Sequence, residues 1–123
     1  MSIQVKAIAF VFHPVTDVAR ARKFYEKHLK LKPTMTIEFA PNKWWIEYDI
    51  AGQALALSNA DPKAKPAEGL TLEVVNLDEA YAAVQLAELE IAQEMVEFPP
   101  CRMFAIRDPD GNRIGLHQIK PHP

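Results

Sequence analysis

RDPDGNRIGLHQ, residues 107–118, is the stretch whose reading decides the fold of this chain. Asp108, Pro109, Asp110 and Gly111 make a tight turn, because proline presets φ at the second turn position and glycine accepts the positive φ that follows. The runs on either side, CRMFAI at 101–106 and RIGLH at 113–117, are rich in β-formers, so the turn predicts a β-hairpin. Along the second run, side chains alternate. Ile114 and Leu116 point one way, and Arg113, Gly115 and His117 point the other. One face suits a core and the other suits a site.

Working outward, the chain before this hairpin carries the same order of elements twice. Residues 3–12 are apolar nearly throughout and predict a buried strand, which His13-Pro14 ends because proline has no N–H for a ladder. Thr16 is read as the N-cap and Asp17 as a first-turn acid of the next helix, in which Val18, Ala21, Tyr25 and Leu29 recur at helical spacing. Three strands follow at 33–39, 43–50 and 53–58. NADPKAKPAEG, residues 59–69, has neither period and reads as a linker. A strand at 70–75, a helix from 77 to 89 and a strand at 91–97 then lead into the hairpin. Sliding the chain so that Gly52 falls on Gly111 also places Leu55 on Ile114, Leu57 on Leu116, Asp17 on Asn76 and Ala21 on Ala80. These matches fall at turn, cap and core positions, as a duplicated βαβββ unit requires.

Composition narrows the function. The 123 residues are 49% hydrophobic and 24% charged, which suits one compact domain with a real core. With 14 Lys and Arg against 16 Asp and Glu, the formal net charge of -2 offers no footprint for nucleic acid or an anionic membrane. The apolar N-terminal run is too short for a span and lacks a cleavage signature. The single cysteine, Cys101, has no partner for an internal disulfide, so the expected compartment is the cytoplasm.

The hairpin, the segment VTDVARARKFYEKHLKLKP at 15–33 and the repeated βαβββ order together resemble the vicinal oxygen chelate superfamily of glyoxalase I, bleomycin-resistance proteins and dioxygenases. The resemblance covers nearly the whole chain. It implies an α+β fold in which two βαβββ modules form curled mixed sheets with helices on the outer face. The chain would then be one domain over 1–123: module 1 at about 1–59, a linker at about 60–68, module 2 at about 69–118 and a tail at 119–123. The resemblance further implies a homodimer and a cleft that often holds a divalent metal. Carried over residue by residue, the metal-ligand positions fall on Phe10, Ala56, Gly69 or Leu70, and Gly115. None of these side chains has a lone pair for a metal, whereas zinc takes N, S or O donors and magnesium takes oxygens. No metal and no other cofactor is therefore expected.

If Phe10 and Gly115 face the cup, period two adds Phe12 on the first strand, Arg113 and His117 on the last, and Thr71 and Glu73 on the first strand of the second module. Glu73, flanked by Leu72 and Val74, needs solvent, a partner or a ligand. His117 is a candidate general base, with an ordinary hydrogen-bonded histidine as the alternative. Trp45 and Glu47 alternate away from Trp44 and Tyr48 and would offer a ligand stacking and cation–π contacts, or else fill core or an interface. Arg102 is a candidate clamp for a carboxylate or phosphate, with a surface ion pair as the alternative. The site expected from the sequence is Phe10, Phe12, Trp45, Glu47, Glu73, Arg102, Arg113 and His117, with His117 and Glu73 as the candidates for chemistry. The function expected is metal-independent binding of a small organic molecule. The alternative is a lyase, isomerase or dioxygenase of the glyoxalase I type, with an unconventional metal site or His117 acid–base chemistry.

Overall fold

The structure, a computed structural model, describes residues 2–121, so His122 and Pro123 of the expected tail lie outside the described residues. The fold is α+β, and the chain divides inside the predicted linker into two compact units, Met1–Ala64 and Lys65–Pro123. In the first unit the order is β1 (Val11–Pro14), α1 (Val18–Lys23) continued by a π-helical turn (Phe24–His28), β2 (Pro33–Ala40), β3 (Lys43–Ile50) and β4 (Gln53–Ser58). The second unit repeats it as β5 (Leu70–Glu73), α2 (Leu77–Leu86), β6 (Ile91–Phe98), β7 (Cys101–Arg107) and β8 (Arg113–Ile119). Each unit holds one four-stranded sheet, ordered β1-β4-β3-β2 and β5-β8-β7-β6. The first strand runs parallel to the last, and the other pairs are antiparallel.

The repeat is visible in the register. Val11 pairs with Leu55 in the first sheet and Leu70 with Ile114 in the second, the same offset that relates Gly52 to Gly111. Both glycines sit at φ 88, a left-handed conformation that a Cβ disfavours.

The first core forms where α1 covers its sheet. Ala21, Phe24 and Tyr25 are buried against Ile46, Tyr48, Leu55 and Leu57. The π turn brings the adjacent Phe24 and Tyr25 both into the core, with Leu29 N–H donating to the Phe24 carbonyl. His13 is buried on the same side, its Nδ1 2.6 Å from the Tyr25 hydroxyl. Tyr48 Oη–H donates to Glu26 Oε2 at 2.9 Å, and Arg22 Nε–H donates to the same oxygen at 2.7 Å.

Burial, then that hydrogen bond, pushes the Tyr48 phenol far above its ordinary range. The folded state therefore keeps a proton that the unfolded chain gives up, and this contribution is full below about pH 10 and lost as pH rises beyond it. In urea titrations across alkaline pH, Tyr48→Phe is expected to remove this part of the decline and to cost about 1 kcal/mol at neutral pH. An unchanged alkaline profile would refute the assignment.

The turn at 108–112 is held by a network of hydrogen bonds. Asp108 Oδ1 accepts from the Asp110 and Asn112 N–H groups, each at 2.9 Å. Asn112 Nδ2–H donates to Asp108 Oδ2 at 2.8 Å, while Asn112 Oδ1 accepts from the Ala67 N–H at 2.8 Å. Arg113 N–H donates to the Ala67 carbonyl at 2.8 Å, so the turn holds the end of the linker.

Three expectations need correction. Residues 3–10 form no strand: β1 begins at Val11, because the ladder to β4 spans only Val11–Pro14, and Ile3 and Val5 are 93% and 85% exposed. An apolar run favours burial, but a strand also needs a neighbour to bond. The N-cap of α1 is Asp17, whose carboxylate accepts from the Arg20 N–H, while Thr16 Oγ1 takes the Arg20 guanidinium instead. The second helix stops at Leu86 because Glu88 turns left-handed at φ 56. Among the described residues, no helix is long and apolar enough to cross a membrane.

Candidate functional site

Each sheet has one face under its own helix and one face turned away from it, and the alternation sorts the candidate residues between them. In the first unit, Phe12, Ala56, Glu47 and Met35 are successive cross-strand partners on the face away from α1, and Trp45 and Ser58 share it. Three rings gather there. Phe12 lies parallel to Trp45 (5.8 Å between centroids, 6° between planes), and Phe10 meets it edge-on at 5.1 Å and 83°. Phe10 lies just outside β1 and is 44% exposed, so it joins the cluster through its ring rather than through the ladder. Trp45 Nε1–H donates to Glu47 Oε2 at 2.6 Å, which holds a carboxylate beside the aromatic surface. A half-buried indole with an anchored anion can stack on a flat ring and attract a cation.

In the second unit, Thr71, Gly115, Ala105 and Gln93 align across the strands, and Glu73, His117 and Met103 form the next row. His117 Nδ1 lies 2.5 Å from Glu73 Oε1, and Ile119 N–H donates to Glu73 Oε2 at 2.8 Å. The His117 hydrogen bond, followed by that of Ile119, holds the Glu73 carboxyl below its usual range. It is therefore ionised at neutral pH, so the imidazole nitrogen is the donor. Arg113, on the same face, donates to Gln93 Oε1 at 2.8 Å.

Arg102 belongs elsewhere. It pairs with Gln118, in the row opposite to His117, and its guanidinium grips Asp78 of α2 at 3.2 and 3.1 Å. Counting symmetrically outward from the turn at 108–112 assigns 102 to 118 and 103 to 117, so the sequence held this signal. The same count identifies Met103, not singled out from the sequence, as the residue beside His117. In the first unit a cavity of about 600 Å³ opens on the α1 side, where Asp17, Arg22, Asn42, Trp44 and Asn59 line it. It shares no residue with the Trp45 cluster, because Trp44 and Trp45 point to opposite faces.

The positions where the resemblance expects metal ligands do not fit a metal. Phe10, Ala56, Gly69, Leu70 and Gly115 supply no side-chain donor. At Gly115 even a methyl group lacks room, since a Cβ there would stand 2.7 Å from Thr71 Oγ1. Among the described residues no three His, Cys, Asp or Glu side chains gather as a metal site.

Comparison with known proteins agrees with the fold. The family model for the Glyoxalase/Bleomycin resistance protein/Dioxygenase superfamily matches residues 7–116. No curated protein sequence matches the chain. Among solved structures, the antibiotic binding protein TnmS3 from Streptomyces sp. CB03234 is 24% identical with a TM-score of 0.81, over 97% of this chain and 100% of that one. A glyoxalase/bleomycin resistance protein from the same organism is 26% identical with a TM-score of 0.75, over 91% of this chain and 100% of that one. A lactoylglutathione lyase from Agrobacterium tumefaciens is 17% identical with a TM-score of 0.73, over 93% and 94% of the two chains. The repeated βαβββ register and the match over residues 7–116 have one consequence: this chain belongs to the Glyoxalase/Bleomycin resistance protein/Dioxygenase superfamily.

Proposed function

We propose that this protein binds a small organic molecule without a metal ion, holding a flat, positively charged aromatic ligand against the Phe10–Phe12–Trp45 surface beside Glu47. The observation that carries this reading is the indole of Trp45, flanked by two phenyl rings and hydrogen-bonded to a carboxylate on the face away from α1. The absence of donor side chains at Phe10, Ala56 and Gly115 supports metal independence, and the antibiotic-binding relative supports a binding role. In this reading the protein acts in the cytoplasm, with its one cysteine unpaired, and as a homodimer. Met35, Ile37 and Phe39 on β2 are 41%, 46% and 53% exposed, an apolar strand suited to cover by a second copy.

Acridine orange, a flat aromatic cation, tests the site by fluorescence titration. Saturable binding is expected to survive EDTA, to weaken about tenfold in Trp45→Ala, a loss of about 1.4 kcal/mol, and to weaken in Glu47→Gln. A neutral aromatic probe should be indifferent to Glu47→Gln. Affinity that disappears with EDTA and returns with a divalent ion would refute metal independence.

A further inference from the structure

We propose that Glu73 and His117 form an acid–base centre on the sheet of the second unit, which accepts a proton from a weakly acidic hydroxyl, a phenol or an enol, of a bound small molecule. This goes beyond a binding role, and it does not depend on the Trp45 surface.

The geometry makes a base with a defined lone pair. β5 and β8 are neighbours in parallel register, which sets Glu73 beside His117. Both carboxylate oxygens are engaged, Oε1 by the imidazole and Oε2 by the Ile119 N–H, so the carboxylate is fixed in place. An ionised carboxylate only accepts hydrogen bonds, and the proton between the two groups therefore sits on Nδ1. In neutral imidazole this leaves the Nε2 lone pair free to accept. No described residue hydrogen-bonds Nε2, and the His117 side chain is 26% exposed.

The surroundings select the ligand. Met103 is the cross-strand partner of His117, and Ile119 and Cys101 are partners one row further, so thioether, alkyl and thiol groups adjoin the imidazole. The remaining charged groups on this face are committed: Arg113 to Gln93, and Arg107 to the Gly111 carbonyl, Glu68 and Glu90. An apolar ring with a hydroxyl fits both features. A strong acid would arrive as an anion and meet the Glu73 charge, whereas a phenol or enol arrives neutral.

The step is a proton transfer. The ligand O–H bond breaks and its electron pair stays on oxygen, while a new N–H bond forms at Nε2. The resulting imidazolium lies between two anions, Glu73 and the ligand oxygen, each able to accept from one of its N–H groups. No oxidant, reductant or co-reactant enters, and the reverse step returns the proton. His117 is the proton acceptor, and Glu73 is a positioning residue that sets the tautomer and stabilises the cation.

The test uses 4-nitrophenol, whose neutral and ionised forms absorb at different wavelengths, titrated with protein across neutral pH. The wild-type protein is expected to bind it saturably and to favour the phenolate roughly tenfold over free solution. His117→Gln should abolish that preference. Glu73→Gln should lose most of it, since a neutral amide still orients the ring but does not stabilise imidazolium. Asp78→Asn, on α2 at the other face of the sheet where it holds Arg102, should leave it intact. Circular dichroism establishes that each variant is folded. Independently of any ligand, histidine ¹⁵N spectra should show neutral His117 protonated at Nδ1. Absence of saturable binding, a bound probe ionising as in free solution, an unchanged preference in His117→Gln, or an Nε2–H tautomer would each overturn the proposal.

Discussion

Asn112→Ala is expected to destabilise the protein by about 3 kcal/mol, the size reached when a buried hydrogen-bond network is broken. Asn112 is 0% exposed and its side chain works in two directions. Its Nδ2–H donates to Asp108 and its Oδ1 accepts from the backbone of Ala67, at 2.8 Å each. Alanine removes the donor that helps hold the buried Asp108 and the acceptor that closes the linker onto the turn. Asn112→Asp should do no better at neutral pH, because it keeps an acceptor for Ala67 but sets a second carboxylate against Asp108. Its deficit should shrink in acid, where one of the two takes up a proton. The measurement is urea denaturation followed by far-ultraviolet circular dichroism, since both tryptophans lie in the first unit and report on the other half of the repeat. A cost below about 0.5 kcal/mol, the range of an ordinary surface change, would show that the turn does not anchor the linker.

Gly115→Ala should cost about 2 kcal/mol through overpacking, and Thr71→Ala should recover most of it. The backbone at Gly115 is of an ordinary kind, so the constraint is space. A Cβ would stand 2.7 Å from Thr71 Oγ1, 3.1 Å from Cγ2 and 3.2 Å from Cβ. Removing the γ atoms of Thr71 leaves only the 3.2 Å approach, which a shift of a few tenths of an ångström absorbs. The pair should therefore be strongly non-additive in a double-mutant cycle, whereas two independent losses would refute the contact. The consequence reaches the chemistry of the family. Gly115 is where the resemblance expects a metal ligand, and its side-chain space is taken by the neighbouring strand. Restoring a donor there takes a change at 71 as well as at 115.

Much of the architecture was legible because it rests on local rules. The DPDGN turn, the linker and the element order follow from φ preferences and from hydrophobic period, and Gly111 takes the left-handed conformation that the turn implied. The offset that aligned Gly52 with Gly111 is the offset of the two sheet registers. Alternation also separated Trp45 and Glu47 from Trp44 and Tyr48, and that division holds. Two expectations failed for different reasons: residues 3–10 are apolar but have no ladder partner, which only the assembled sheet decides, whereas Asp17 takes the α1 cap from Thr16 within a single turn.

The sequence by itself determined the two βαβββ modules and which residues could share a face, since side-chain period is a property of each strand alone. Only the tertiary structure decided which of those residues act on one another. Glu73 and His117 are 44 residues apart and meet because β5 runs beside β8. Arg102 is claimed by Asp78 across 24 residues, because its row faces α2. Thr71 fills the space over Gly115 through the same β5–β8 contact. Strand neighbours are chosen by how the whole sheet assembles, so these partnerships appear only when the strands are set side by side.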